Sequence, residues 1–223
     1  MAKPPQFIAD FSKTGRPALD GRFDAPAFHR NRDPIWDAIK PLLGDRHGEA
    51  LEVGSGTGQH VAAFARHSPN ITWFPSDHID AHLTSIDGWR RDSGLANVAE
   101  PTRIDLSDGA WANDLGRDRF VAVVCINVLH IAPWTIAENL FRGAAQILRP
   151  AGKLVVYGPF KRDGVHTAPS NAEFDASLRA GNPEWGLRDI ADLTKLGEIT
   201  ALTLAEIIAM PANNFTLVFS RAR

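Results

Sequence analysis

Apolar positions along the chain alternate between a helical period and short, nearly continuous runs. "IWDAIKPLL" sets Ile35, Trp36, Ile39, Leu42 and Leu43 at helical spacing and ends at Gly44, which predicts a helix. "EALEV" reads as a short apolar strand, "QHVAAFARH" as a helix, "ITWFPSD" as a second strand and "AHLTSIDGWRRD" as a helix. "EPTRIDLSD" gives a third strand with an acidic exit. "FVAVVCINVLH" is β-branched and almost unbroken, the pattern of a central strand buried on both faces of a parallel sheet. "AENLFRGAAQILRPAGKLVVYGPF" then supplies a helix, a Pro-Ala-Gly turn and a fifth strand. Such alternation implies an α/β fold, an open doubly wound sheet that binds ligands at the carboxyl ends of its strands.

The end of the chain breaks this rhythm. A helix is predicted over "LRDIADLTKLG", followed by β-prone segments around "EITALTLAEIIAM" and "NNFTLVFSR" with no helix between them. Joined by "PANN", with Asn213 and Asn214 suited to left-handed turn geometry, they read as an antiparallel hairpin. The whole predicts a seven-stranded, mostly parallel sheet in a single domain spanning 1–223. Residues 1–48 form an N-terminal cap segment and 161–186 a lid insertion. The lid is too long for a plain connection, and its Ser170, Asn171, Ala172, Glu173 run predicts a capping box opening one short helix.

Composition narrows the partners. The 223 residues are 44% hydrophobic and 22% charged with net charge -2, so no basic field exists to hold nucleic acid or an anionic membrane. The single cysteine, Cys125, lies within the central apolar run, where a reduced buried thiol is expected. The opening "MAKPPQFIADFSKTG" lacks a continuous apolar core and no run is long enough to span a membrane, which favours a cytoplasmic protein. No Cys/His spacing suggests a metal site.

"LEVGSGTGQH" carries the chemistry. Gly54, Gly56 and Gly58 follow a G-x-G-x-G spacing, not the G-x-G-x-x-G of dinucleotide folds, and no Lys is present for phosphate. Glycines there permit positive φ and close backbone approach, which favours a small bound cofactor over an empty turn.

"EVGSGTG" resembles motif I of class I S-adenosylmethionine-dependent methyltransferases. Later matches fall in order: Asp77 ending "WFPSD", Asp105 in "RIDLSD", the exit "CINVLHIAPW" and the "LRPAGKLVVYGPF" turn and strand. "HRNRDPI", "NVLHIAPW", "SNAEFDASLR", "PEWGLRD" and "MPANNFTLVF" look more narrowly like the methyltransferase-like protein 26 family, a former domain-of-unknown-function group. The resemblance implies a Rossmann-like fold and S-adenosyl-L-methionine as cofactor. It assigns cofactor contacts to Glu52, Gly54, Ser55, Gly56, Gly58, Asp77, Asp105, Leu106 and Asn127. Asp77 would take the ribose hydroxyls, where paired acceptor oxygens meet two donors, or would cap the next segment. Asp105 would meet the adenine amino group with Leu106 beside the ring, unless Asp108 takes its place.

Candidates for catalysis are His130, which leaves the central strand at the crevice, and Tyr157, which ends the fifth strand. A histidine with pKa near neutrality suits a general base, but methyl transfer runs well on positioning alone, so a pocket-wall role and a buried structural role compete, as does a half-buried sheet-edge role for Tyr157. Arg32, preceding the first helix beside Asn31, together with Asn171 and Trp185 of the lid, are candidate substrate contacts. For Arg32 a solvated helix-start charge competes, and for Trp185 anchoring of the loop. The reading is a methyltransferase acting on an O or N nucleophile of a small-molecule substrate. The alternatives are a cofactor-binding interaction protein without transfer activity, or a protein or nucleic-acid methyltransferase.

Overall fold

The computed structural model describes residues 17–222. Sixteen N-terminal residues of the expected cap, 1–16, lie outside the described residues. Helix α1 (Pro26–Leu43) precedes β1 (Gly48–Val53), α2 (Gln59–His67), β2 (Ile71–Asp77) and α3 (Asp80–Ser93). Then follow β3 (Thr102–Arg103), β4 (Phe120–Ile126), α4 (Trp134–Ile147) and β5 (Leu148–Gly158). The last third holds β6 (Phe160–Arg162), β7 (Val165–His166), α5 (Pro169–Gly181), β8 (Arg188–Asp189), α6 (Ile190–Ile199), β9 (Leu202–Met210) and β10 (Asn214–Arg221).

Seven strands form one sheet in the order β3-β2-β1-β4-β5-β10-β9, with only β10 antiparallel to its neighbours. This is the doubly wound, mostly parallel sheet the sequence predicts. Order reverses between β1 and β4, whose register pairs Leu51 with Val123 and Val53 with Cys125. The exits of these two strands therefore flank the switch point where open α/β sheets bind ligands. Every β4 residue is buried, as its unbroken apolar run requires.

Helices α1 and α2 cover one face with Ile35, Trp36, Ile39, Leu43, Val61 and Phe64 packed over Val124 and Val155. Helices α4 and α6 cover the other, where Phe141 meets Phe219 edge-on at 4.8 Å between ring centroids. Pairs of this kind add about 0.5–1.5 kcal/mol beyond area burial.

Several local expectations shift. Helix α1 begins at Pro26, not near Ile35, and runs through Pro34 and Pro41. Pro34 mimics a helix start, yet the apolar stripe extended back to Phe28 packs well enough to offset the lost backbone bond. Asn31 and Arg32 consequently sit inside the helix. The third strand contracts to two residues, and α6 extends to Ile199, so Glu198 and Ile199 are helical. The capping box does not form: Pro169 opens α5, Ala168 is the cap residue, and no side chain bonds there. A small sheet ordered β7-β6-β8 also gives the lid region more structure than one helix.

Candidate functional site

The glycine turn leaves β1 with Gly54, Gly56 and Gly58 all at positive φ. A side chain on Gly54 would come within 2.7 Å of Val128 on the β4 exit, and one on Gly58 within 2.6 Å of the Ile86 backbone. Bare backbone is thus required on both flanks of the turn. Ser55 stitches it to β2, its N–H donating to the Ser76 carbonyl at 2.8 Å while its hydroxyl accepts from the Ser76 N–H at 3.1 Å.

Asp77 ends β2 beneath this turn. Its Oδ2 accepts the Gly56 N–H at 2.9 Å and its Oδ1 the Ile79 N–H at 3.1 Å, so the capping arrangement exists and the carboxylate also ties down the turn. His82 Nδ1 lies 3.1 Å from Oδ1. Burial opposes the charge, but His82 and the two amides outweigh it and hold the carboxyl below its usual range. No motif in the sequence singles out His82; only its place on α3, one helical turn beyond the β2 exit, marks it.

Glu52 is 1% exposed, and among the described residues its Oε2 has no hydrogen-bond partner. Burial, reinforced by the charge of Asp77 and resisted by a hydrogen bond from Ser55, pushes it up to about 8. A buried acceptor without a donor is costly in the absence of a ligand. That orphan atom behind a turn of three glycines fits a small ligand carrying a cationic or donor group.

Across the switch point, Asn127 leaves β4 at φ 58 and donates its N–H to the Tyr157 carbonyl at 2.9 Å. His130 follows on the same exit, buried, within ordinary contact range of the place a Gly158 side chain would occupy. Burial first, then the charge of Arg188, hold His130 down to about 3. It is therefore a neutral imidazole, in contrast to the near-neutral pKa expected of it. Tyr157 reaches the same sheet edge but the opposite face, packed with α1 and α2, because successive strand residues alternate sides. Burial raises its phenol, while a hydrogen bond from Asn31 and the charge of Arg30 oppose the rise.

The 161–186 segment packs on the His130 side. Phe174 of α5 meets the His130 ring edge-on, and the Gly186 N–H donates to the His130 carbonyl at 3.0 Å. Arg188 donates to the carbonyls of Leu129, Ala132 and Glu184, pinning the β4 exit to the segment that carries α5. Buried Asp175 is the hub of this segment, within 3.2 Å of Lys161, His166 and Arg179 and accepting the Leu187 N–H at 2.7 Å.

Other predicted positions have different surroundings. Arg32 pairs with Asp33, leans over Phe28 and lines a surface cleft with Trp36 and His67, so the structure does not bring it to the strand ends. Asn171 spends its amide on Thr167 and the Asn213 carbonyl, tying α5 to the terminal hairpin. Trp185 is half-buried in the loop that delivers Gly186. Asp105 is exposed and accepts the Ser107 N–H in a turn, as Asp108 does from Ala110, while Leu106 is buried in the α4 face of the core.

The profile of a protein family of unknown function, DUF938, matches residues 22–221. The chain belongs to the DUF938 family. Among solved structures, it is similar to an O-methyltransferase family protein from Burkholderia thailandensis, with TM-score 0.74 and 18% identity over 88% of this chain and 57% of that one. It is also similar to the S-adenosylmethionine-dependent methyltransferase SibL, with TM-score 0.66 and 21% identity over 88% and 58%. A third neighbour, assigned as a sarcosine dimethylglycine methyltransferase from Galdieria sulphuraria, has TM-score 0.68 and 12% identity over 95% and 96%. The chain thus spans a little over half of the first two and nearly all of the third. DUF938 here has the fold of class I methyltransferases. No described helix is long and apolar enough to cross a membrane.

Proposed function

We propose that this DUF938 protein is an S-adenosylmethionine-dependent methyltransferase acting on an O or N nucleophile of a small-molecule acceptor. The observation that carries the reading is the orphan Glu52 Oε2 behind a turn of three positive-φ glycines at the switch point. The fold neighbours named for methyl transfer support it, as does the motif resemblance, including that to the methyltransferase-like protein 26 family. When bound, S-adenosylmethionine supplies a methyl group on a sulfonium already activated for displacement.

Glu52, the glycine turn and Asp77 would hold this cofactor. Asp77 takes an amide on each carboxylate oxygen and His82 on Oδ1, which leaves Oδ2 with acceptor capacity for one ribose hydroxyl. Asn127, in its left-handed conformation, sets the β4 exit against Tyr157. His130, held neutral, shapes the wall of the crevice and orients rather than abstracts. Phe174 and Gly186 close over that wall and exclude water from it.

Calorimetry with S-adenosylmethionine, S-adenosylhomocysteine and NADH tests the reading, with binding expected for the first two only. Binding of NADH alone overturns it. Transfer of labelled methyl into fractionated metabolite extracts then identifies the acceptor.

A further inference from the structure

Asp77 and His82 are buried against each other at the start of α3, with 4% and 2% of their surfaces exposed. An apolar side chain would fill the His82 position at less cost, since a buried polar group stabilises only when it is satisfied. Its Nδ1 lies 3.1 Å from Asp77 Oδ1. Two bare lone pairs would repel each other at that distance in a place closed to water, so Nδ1 carries a proton and directs it at Oδ1. His78 also faces this oxygen, but its Nδ1 stands 3.6 Å away on a side chain 60% exposed, where solvent competes for it.

The contact decides which oxygen is left for a ligand. A carboxylate offers about four lone-pair sites, two on each oxygen. Oδ1 uses its two on the Ile79 N–H at 3.1 Å and on His82, and Oδ2 uses one on the Gly56 N–H at 2.9 Å. The described residues thus leave one site open, on Oδ2, the oxygen already bonded to the glycine turn. The last torsion of an aspartate is soft, so a carboxylate held at Oδ1 by one amide could turn and present either oxygen. The second donor on Oδ1 removes that freedom.

Resting on the methyltransferase reading, we propose that His82 is a positioning residue for the cofactor: by occupying Asp77 Oδ1 it leaves Oδ2 alone to accept from a single ribose hydroxyl. The ribose is then read through one of its two hydroxyls, in place of the pair that the motif resemblance implies for Asp77.

The pairing is read on the protein without any nucleoside. With nitrogen-labelled histidine, the Nδ1 resonance of His82, assigned by its absence from His82→Asn, is expected at the shift of a protonated ring nitrogen and should move in Asp77→Asn. An unprotonated Nδ1 overturns the proposal. Calorimetry with S-adenosylhomocysteine and its 2′-deoxy and 3′-deoxy analogues reads the consequence. In wild type one analogue is expected to bind about tenfold more weakly than the parent and the other within about twofold. His82→Leu should narrow the tenfold gap to below about threefold, and His82→Asn, whose Nδ2 donates from the place of Nδ1, should restore it. A histidine serving only to pack α3 would change the affinity for parent and analogue alike, so an unchanged gap in folded His82→Leu overturns the positioning role. Equal losses for the two analogues in wild type, or no loss for either, overturn the single-hydroxyl contact. Failure of S-adenosylhomocysteine itself to bind counts against the methyltransferase reading, and the Nδ1 shift then decides the pairing of His82 with Asp77 by itself.

Discussion

Phe174 stands edge-on to His130, their ring centroids 5.6 Å apart and their planes at 65°. One ring belongs to α5 and the other to the exit of the central strand, so this contact joins the 161–186 segment to the β4 exit. His130 is held neutral there by burial and by Arg188. Phe174→Ala is expected to leave S-adenosylhomocysteine affinity within about twofold while lowering methyl transfer at least tenfold, the pattern of a lost covering contact. The acid limb of the transfer rate should show no midpoint between pH 6 and 7 that His130→Asn removes. Such a midpoint would make His130 a general base.

Asp77 serves the turn and the proposed ligand together. Asp77→Ala should weaken S-adenosylhomocysteine binding by about 1–3 kcal/mol, the scale for losing charge-assisted bonds at a buried site. Calorimetry reads the change directly. An unaltered affinity would leave Asp77 with only its bonds to Gly56 and Ile79.

Glu52 sets stability against binding. Its folded pKa, pushed up to about 8, lies above the unfolded value, so the fold is progressively destabilised as pH rises from about 4 toward 8. Glu52→Gln should therefore raise Tm by a few degrees at pH 7.5, where about 1 kcal/mol corresponds to roughly 2–4 °C in a domain of this size, and by much less at pH 5. The same variant should bind S-adenosylhomocysteine more weakly. A lower Tm at pH 7.5 would refute the assignment.

Asp175 behaves in the opposite sense. Burial works to raise it, but His166, the Leu187 N–H, Arg179 and Lys161 overcome that and bring it to about 2. A depressed carboxyl contributes stability that is complete above the unfolded value near 4 and is lost as pH falls toward 2. Asp175→Asn should cost about 2 kcal/mol at pH 6, read by urea unfolding, and the gap to wild type should close below pH 4. Hydrogen exchange should show the loss first in α5, where amides of Asn171 to Leu178 lose protection.

Much of this molecule is written locally in its chain. A strand that ends in Glu52 and Val53, a turn of three glycines and a helix that begins at Gln59 are legible because period and turn chemistry are properties of neighbouring residues. So are the doubly buried β4 run and the terminal hairpin. Local signals also misled where two structures share one signature. Pro34 looks like a helix start but lies inside α1, and Ser170 with Glu173 looks like a capping box although Pro169 has already opened α5.

The tertiary structure alone decided which side chains meet. Tyr157 and His130 both lie at the carboxyl edge of the sheet, yet the alternation of β5 sends Tyr157 toward α1, while His130 faces α5 on the other side. Asn31 finds His60, 29 positions away, only because α1 crosses the start of α2. His82 reaches Asp77, and Asp175 gathers Lys161, His166 and Arg179 from β6, β7 and its own helix, through packing that no short window of sequence encodes. Local periodicity fixes which residues face inward on each element. The hydrogen bonds and charges of the site depend on how those faces are stacked, and that is settled by burying the whole sheet at once.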